Sequence, residues 1–472
     1  MKQRFAKTGI IRSFGAAEVV TGSCHLYQID HGPTILIDCG MFQGTVEERN
    51  YEPFGFNPRH VDILLVTHAH LDHVGRIPKL VREGFRGRII TLKSTMDLAE
   101  VVLLDSAKLM EEEYHTRFKK AQRRGAEASV RKPLYTTDDV AAVYDLPMTF
   151  VRYNKPVEIA KGVVATFRDA GHILDSATIE LDVTTKEGSE KLVFSGDLGN
   201  HNDMVMPDPV TVKEADILYI ESTYGDRDHK GIEESVAEFK DVIINTLLNR
   251  GNVLIPSFAI ERTQEILCLL KQMYDSKELP ECQIFIDSPM AIRATRLYDA
   301  YHEELSEECN EYLKRDGTIF DFPYVRYTPD VEDSKKINDI DSGCIIIAGS
   351  GMCTGGRILH HFKHRLWNER NALLFVGYQA EGTLGRRIIN GERHIRIYHE
   401  EILIRASIHT INGFSAHADQ SGLIEWMKSF DRLGKIFLIH GEYDKQKVLR
   451  KVIGEKMGKR AHIVAPEEKI YV

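Results

Sequence analysis

Apolar and polar positions follow two different rhythms along this chain. In the first 225 residues, short apolar runs stand apart from one another: Thr34 to Ile37, Ile63 to Val66, Val163 to Phe167, Leu192 to Ser195 and Ile217 to Ile220. Each is rich in branched aliphatic residues, which predicts a buried strand. Between Ser94 and Met110 the apolar spacing lengthens to that of a helix, at Met96, Leu98, Val101, Val102 and Leu104.

From about residue 226 strands and helices alternate more regularly. Val236, Phe239, Val242, Ile243 and Leu247 form a helical stripe that stops at Asn249-Arg250-Gly251, where the glycine predicts a C-cap. Val253 to Ile255, Ile284 to Ile286, Cys344 to Ala348 and Leu373 to Val376 read as strands, with a helix at Ile266 to Met273. Apolar strands separated by helices predict a parallel sheet with helices on both faces. Near Ile408 the strand pattern resumes, followed by a helix (Leu423 to Phe430) and a strand (Ile436 to Ile439). The expected organisation is α/β: one domain at 1–225 and 412–472, split by an inserted domain at 226–411.

At 472 residues, 43% hydrophobic and 28% charged, the chain is long enough for two domain cores. No apolar stretch approaches the ~20 residues of a membrane helix, and the N-terminal sequence lacks the apolar core of an export signal. Seven cysteines without a CxxC pair fit reduced thiols and exclude a cysteine-based zinc ribbon, so a cytoplasmic location is expected. A net charge of −9 disfavours polyanions globally. The best candidate for a local basic surface is Arg117 to Lys132, which is either a solvated helix face or a nucleic-acid contact.

Chemistry concentrates after the strand at Ile63 to Val66. Thr67-His68-Ala69-His70-Leu71-Asp72-His73 holds three imidazoles and a carboxylate in six residues, a density with no ordinary packing role. These are preferred ligands of zinc and its neighbours, and four donors point to more than one ion. Other donors share the same context at a strand end: Asp38, His172, Asp197, Glu221 and His440. Strand ends are where α/β folds assemble sites.

These residues resemble the metallo-β-lactamase-fold hydrolases, through Thr-His-Ala-His-Leu-Asp-His, His172, Ser-Gly-Asp at 195–197 and the late His440. Glu-Ser-Thr-Tyr-Gly at 221–225, Ser-Ala-His-Ala-Asp at 415–419 and Ile-His-Gly-Glu at 439–442 are similar to motifs A, B and C of the β-CASP nucleases. The fold so implied is an αββα sandwich split by a β-CASP domain with a parallel sheet flanked by helices. The resemblance implies two zinc ions, with manganese an alternative. His68, His70 and His172 would hold one ion, Asp72, His73 and His440 the other, and Asp197 both. Asp38 would fix ligand geometry. Asp72, Glu221 and His417 would take part in catalysis, with His417 as general acid oriented by Glu221.

A histidine at motif C, His440, goes with RNA-processing members of the family. The expected activity is therefore hydrolysis of single-stranded RNA in RNA processing or decay. Internal cutting is favoured because the chain ends about thirty residues after His440. Trimming from the 5′ end, or hydrolysis of a small thioester or lactam, are the alternatives, and a homodimer is left open. The segment Gly349 to Arg357 is a tight turn or a phosphate cradle built from Ser350, Gly351, Gly355 and Gly356, though not a P-loop. His360, His361 and His364, at helical spacing, raise a further metal site that ranks below an exposed or capping role.

Overall fold

The computed structural model describes residues 8–377, 379–380, 382–411 and 413–472. They form two compact units, one drawn from 8–201, 208–228 and 417–472 and the other from 202–207 and 229–416.

The first unit contains two seven-stranded sheets. In one, the central strands Cys24–Ile29, Thr34–Ile37, Ile63–Leu65 and Arg88–Thr91 follow chain order. In the other, Glu214–Ile220 lies between Gly188–Phe194 and Arg432–Leu438, parallel to both. Side-chain alternation gives each sheet two faces. Tyr27, Ile35, Ile37 and Leu65 share one apolar core with Ile179, Leu192, Phe194 and Tyr219 of the other sheet. The opposite face of that second sheet, at Val193, Leu218 and Ile220, packs with Leu423, Trp426, Leu449 and Ile453 of the helices Gln420–Lys428 and Tyr443–Met457. The helix predicted to Met110 runs on as Lys93–Gln122, because Glu, Lys, Arg and Gln sustain it after the apolar stripe ends.

In the second unit six strands make an all-parallel sheet, ordered Val325–Tyr327, Gln283–Ile286, Cys344–Ala348, Val253–Pro256, Ala372–Val376 and Ser407–Ile411. Parallel strands bring their carboxyl ends to one edge, which collects Ser257, Asp287 and Gly349 there. The expected glycine cap needs correcting. The helix Ile232–Leu248 is capped by Asn249, and the left-handed residue is Arg250 (φ 54°). Gly251 instead donates its N–H to the Thr246 carbonyl, and a Cβ there would lie 1.9 Å from the Arg370 carbonyl oxygen. Close approach of backbone, not dihedral freedom, demands that glycine.

No helix among the described residues is long and apolar enough to cross a membrane. All seven cysteines are free and buried.

Candidate metal centre

The strand Ile63–Leu65 delivers the chain into an extended segment on which His68 and His70, two residues apart, share a side. His70 is also the N-cap of a single helical turn, Leu71–Val74, which presents Asp72 and His73. Short loops after other strands supply His172, Asp197 and His440, and His440 sits at a left-handed φ of 49°. His68, His70, His172 and Asp197 bring one donor atom each within 4.8 Å of one another, and Asp72, His73 and His440 do the same.

Asp197 lies between the two groups. Its Oδ2 is 3.5 Å from His68 Nε2 and 3.7 Å from His172 Nε2. Its Oδ1 is 3.3 Å from His73 Nε2 and 3.6 Å from His440 Nδ1. One carboxylate thus offers one oxygen to each group.

Three observations show that these residues fit cations. His70 Nδ1 has two ring nitrogens against it, His68 Nε2 at 3.2 Å and His172 Nε2 at 3.1 Å, and one proton can satisfy only one of those contacts. His73 Nε2 and His440 Nε2 face each other at 3.1 Å. Asp197 Oδ1 is buried without a well-formed hydrogen bond, an expensive state for a carboxylate oxygen.

Electrostatics agree. Burial holds the His68 imidazole well below its usual pKa and His70 down to about 4, so both are neutral and able to ligate. Burial opposes charge on His73 as well, but Asp197 and Asp38 on its two edges override that and raise it well above the usual value. Burial pushes the Asp72 carboxyl up, and the hydrogen bond and charge of His440, with the charge of His73, bring it down to about 2. Asp197 is likewise pulled well below the carboxylate range, against its burial, by His440, His73 and His68. The centre favours positive charge between its carboxylates.

Asp38, in left-handed backbone (φ 58°), accepts hydrogen bonds from the Thr67 amide (2.8 Å), the Thr67 hydroxyl (2.9 Å), His73 Nδ1 (2.7 Å) and Ser23 Oγ (3.3 Å). The bond to Nδ1 turns the Nε2 lone pair of His73 towards Asp197 and His440. Beside this centre, Glu221 Oε1 accepts from the Leu198 amide (2.8 Å) and from His417 Nδ1 (3.1 Å). Burial disfavours a charged His417, but Glu221, by charge and hydrogen bond, with Asp197 and Asp72 beyond it, raises its pKa to about 9.

Other candidates fall elsewhere. Ser350, Gly351, Gly355 and Gly356 lie in a turn that bonds largely to itself: Ser350 N–H reaches Gly355 O at 3.2 Å, and Thr354 N–H reaches Ser350 Oγ at 3.0 Å. His361 is buried and bonds Asp287 at 2.7 Å, while His360 stacks on Tyr398 and His364 is exposed. In the basic stretch Arg117 pairs with Glu113 and Arg131 with Glu48, all exposed. Sequence reasoning missed Thr67, Ser23 and Thr223, whose hydroxyl lies 3.1 Å from His440 Nδ1. Two of them sit inside motifs already singled out, and only that position could have flagged them.

A two-sheet sandwich with a histidine–carboxylate centre at its strand ends, interrupted by a parallel-sheet domain, defines a metal-dependent hydrolase of the metallo-β-lactamase superfamily. The sequence matches "Metallo-beta-lactamase superfamily" over residues 17–243, "Beta-Casp domain" over 263–388 and "Zn-dependent metallo-hydrolase RNA specificity domain" over 401–465. It is 42% identical over 445 residues to ribonuclease TTHA0252 of Thermus thermophilus, covering 93% of this chain and 95% of that one. It is 32% identical over 449 residues to the transcription termination factor FttA of Methanocaldococcus jannaschii, covering 91% of this chain and 66% of that protein's length. A crystal structure of a protein of unknown function from Enterococcus faecalis shares the fold at a TM-score of 0.54 and 11% identity, covering 98% of this chain and 100% of that one. The chain belongs to the β-CASP ribonuclease family of the metallo-β-lactamase superfamily.

Proposed function

We propose that this chain is a two-zinc ribonuclease that cuts single-stranded RNA internally, in cytoplasmic RNA processing or decay. The observation that carries the reading is Asp197, one oxygen turned to each donor group, with the His417–Glu221 pair beside it. His68, His70 and His172 would hold one cation and Asp72, His73 and His440 the other, with Asp197 shared. The same donor set accepts manganese. Zinc at such a centre supplies a hydroxide at neutral pH and relieves the negative charge that builds on phosphate.

The protein's own groups supply the remaining proton. Glu221 engages His417 through Nδ1, so Nε2 is the nitrogen that would protonate the departing ribose oxygen. A raised pKa keeps that ring charged before the bond breaks, so it holds the proton it would deliver. Ser350, Gly351, Gly355 and Gly356 are our candidates for phosphate contact.

RNA as substrate is supported by the name of the Thermus relative, by the RNA specificity domain matched at 401–465 and by the histidine at position 440. Seven free cysteines and no membrane-crossing helix among the described residues agree with a reducing, aqueous compartment. The test is incubation with end-labelled single-stranded RNA and DNA of one sequence, each with a 5′-phosphate or a 5′-hydroxyl. Internal RNA fragments from both end types are expected. Equal cutting of DNA, or mononucleotides released only from 5′-phosphorylated ends, would overturn the substrate or the mode.

A further inference from the structure

The inner face of the first sheet breaks its own pattern near the metal centre. Ile11 and Tyr27 point into the apolar core between the sheets. Two residues further along the same face, alternation calls for apolar side chains and finds Ser13 and His25, paired directly across adjacent strands. Both are 1% exposed, and the rings of Phe194 and Tyr219 lie 6.3 and 6.2 Å from the imidazole. Polar groups in such a place are destabilising unless they are hydrogen-bonded.

They are bonded in a line that ends at the metal centre. Ser13 Oγ is 2.8 Å from His25 Nδ1, and His25 Nε2 is 3.3 Å from Ser23 Oγ. Ser23 Oγ donates to Asp38 Oδ2 at 3.3 Å, the oxygen that also holds His73 Nδ1 at 2.7 Å. Ser23 is tied to the same region by its backbone, taking the Gly40 amide and donating to the Asp72 carbonyl, each at 2.8 Å.

Every proton in this line has one consistent direction. A carboxylate only accepts, so the Ser23 hydroxyl gives its proton to Asp38. The lone pair it keeps then accepts from His25 Nε2–H. Burial, with the charges of His73 and His440, pulls the His25 pKa down to about 3, so the ring is neutral and its Nδ1 accepts from Ser13. The line adds a third partner to Asp38 Oδ2, beside the Thr67 hydroxyl and His73 Nδ1, and so further restricts that carboxylate.

We propose that Ser13, His25 and Ser23 form a relay of positioning residues that locks Asp38, and through it the orientation of His73 towards its cation. This rests on the two-cation reading above and extends it to three residues outside the two donor groups. Packing alone accounts poorly for them, because an apolar trio would fill the same space without hydrogen-bond demands.

The relay and a packing role predict opposite orders for two substitutions. His25→Gln keeps one acceptor for Ser13 and one donor for Ser23, whereas His25→Phe keeps the flat ring and removes both. Zinc affinity by chelator competition, and the visible absorption of the cobalt-substituted protein, are measured for the unsubstituted chain, His25→Gln, His25→Phe and Ser23→Ala. We expect Ser23→Ala and His25→Phe to weaken binding of one of the two ions by about 10–100-fold and shift the cobalt bands, with His25→Gln close to the unsubstituted chain. Where His25→Phe does not fold, Ser23→Ala and Ser13→Ala decide, each removing only a hydroxyl. Phe outperforming Gln, or undiminished affinity in Ser23→Ala, overturns the relay alone. An unsubstituted chain that binds no divalent ion overturns the two-cation reading and the relay with it.

Discussion

This chain carries two histidine triplets of similar density, and the fold uses them in opposite ways. His68, His70 and His73 converge, whereas His360, His361 and His364 diverge. The first triplet straddles an extended segment and a helical turn, so that all three rings reach Asp197 or its immediate neighbours. The second lies on one short helix, Ile358–Arg365. There His361 turns inward to Asp287, His360 turns out to stack on Tyr398, and His364 faces solvent. A single helix spreads consecutive positions around its axis; a change of backbone conformation can gather them. Carboxylate supply differs too. The first triplet shares Asp197 with other elements, while Asp287 is satisfied by His361, Thr328, Ser334 and Arg357.

The contrast can be broken most forcefully at Asp197. Asp197→Ala removes the oxygen shared by both groups, so we expect loss of both metals by elemental analysis and a fall in RNA cleavage larger than the about 10–100-fold typical of an outer partner. Retention of two ions would show that the groups do not depend on a common carboxylate. Next in size, His417→Asn should keep its metal content yet lose about 10²–10⁴-fold in kcat, the usual contribution of a positioned acid. Unchanged turnover would remove His417 from the chemistry.

The second triplet should answer in stability rather than metal. Burial pushes the Asp287 carboxyl up, but His361, Ser334 and Arg357 bring it down to about 2. A depressed carboxyl stabilises the fold above its unfolded value near 3.8, and that contribution is lost as the pH falls towards 2. Asp287→Asn should therefore destabilise the second unit by about 2 kcal/mol at neutral pH, and the difference should shrink between pH 4 and 2. Chemical denaturation across that range checks both the size and the sign. Smallest of all, His364→Ala should alter neither metal content nor stability beyond about 0.5 kcal/mol, as an exposed position predicts. A lost metal ion there would make the second triplet a site after all.

Much of this was legible because the patterns are local. Strands such as Cys344–Ala348 appear at their predicted positions, since a run of buried branched aliphatics leaves few alternatives. The donors at His68 to His73 stood out by density alone. The cap at Arg250 was misread because a close backbone contact with Arg370, invisible in sequence, decides where the glycine must stand. Ser13, His25 and Ser23 were passed over for the same reason: each is an unremarkable polar residue until strand register sets Ser13 against His25.

Residue type and spacing by themselves pointed to the α/β class, the insertion and a set of candidate donors, because periodicity and metal-ligand chemistry are properties of the chain alone. Only the tertiary structure decided which donors meet, which oxygen of Asp197 faces which group, and which histidine triplet converges. Those outcomes depend on distances between residues hundreds of positions apart, and sheet register and strand-end geometry set such distances.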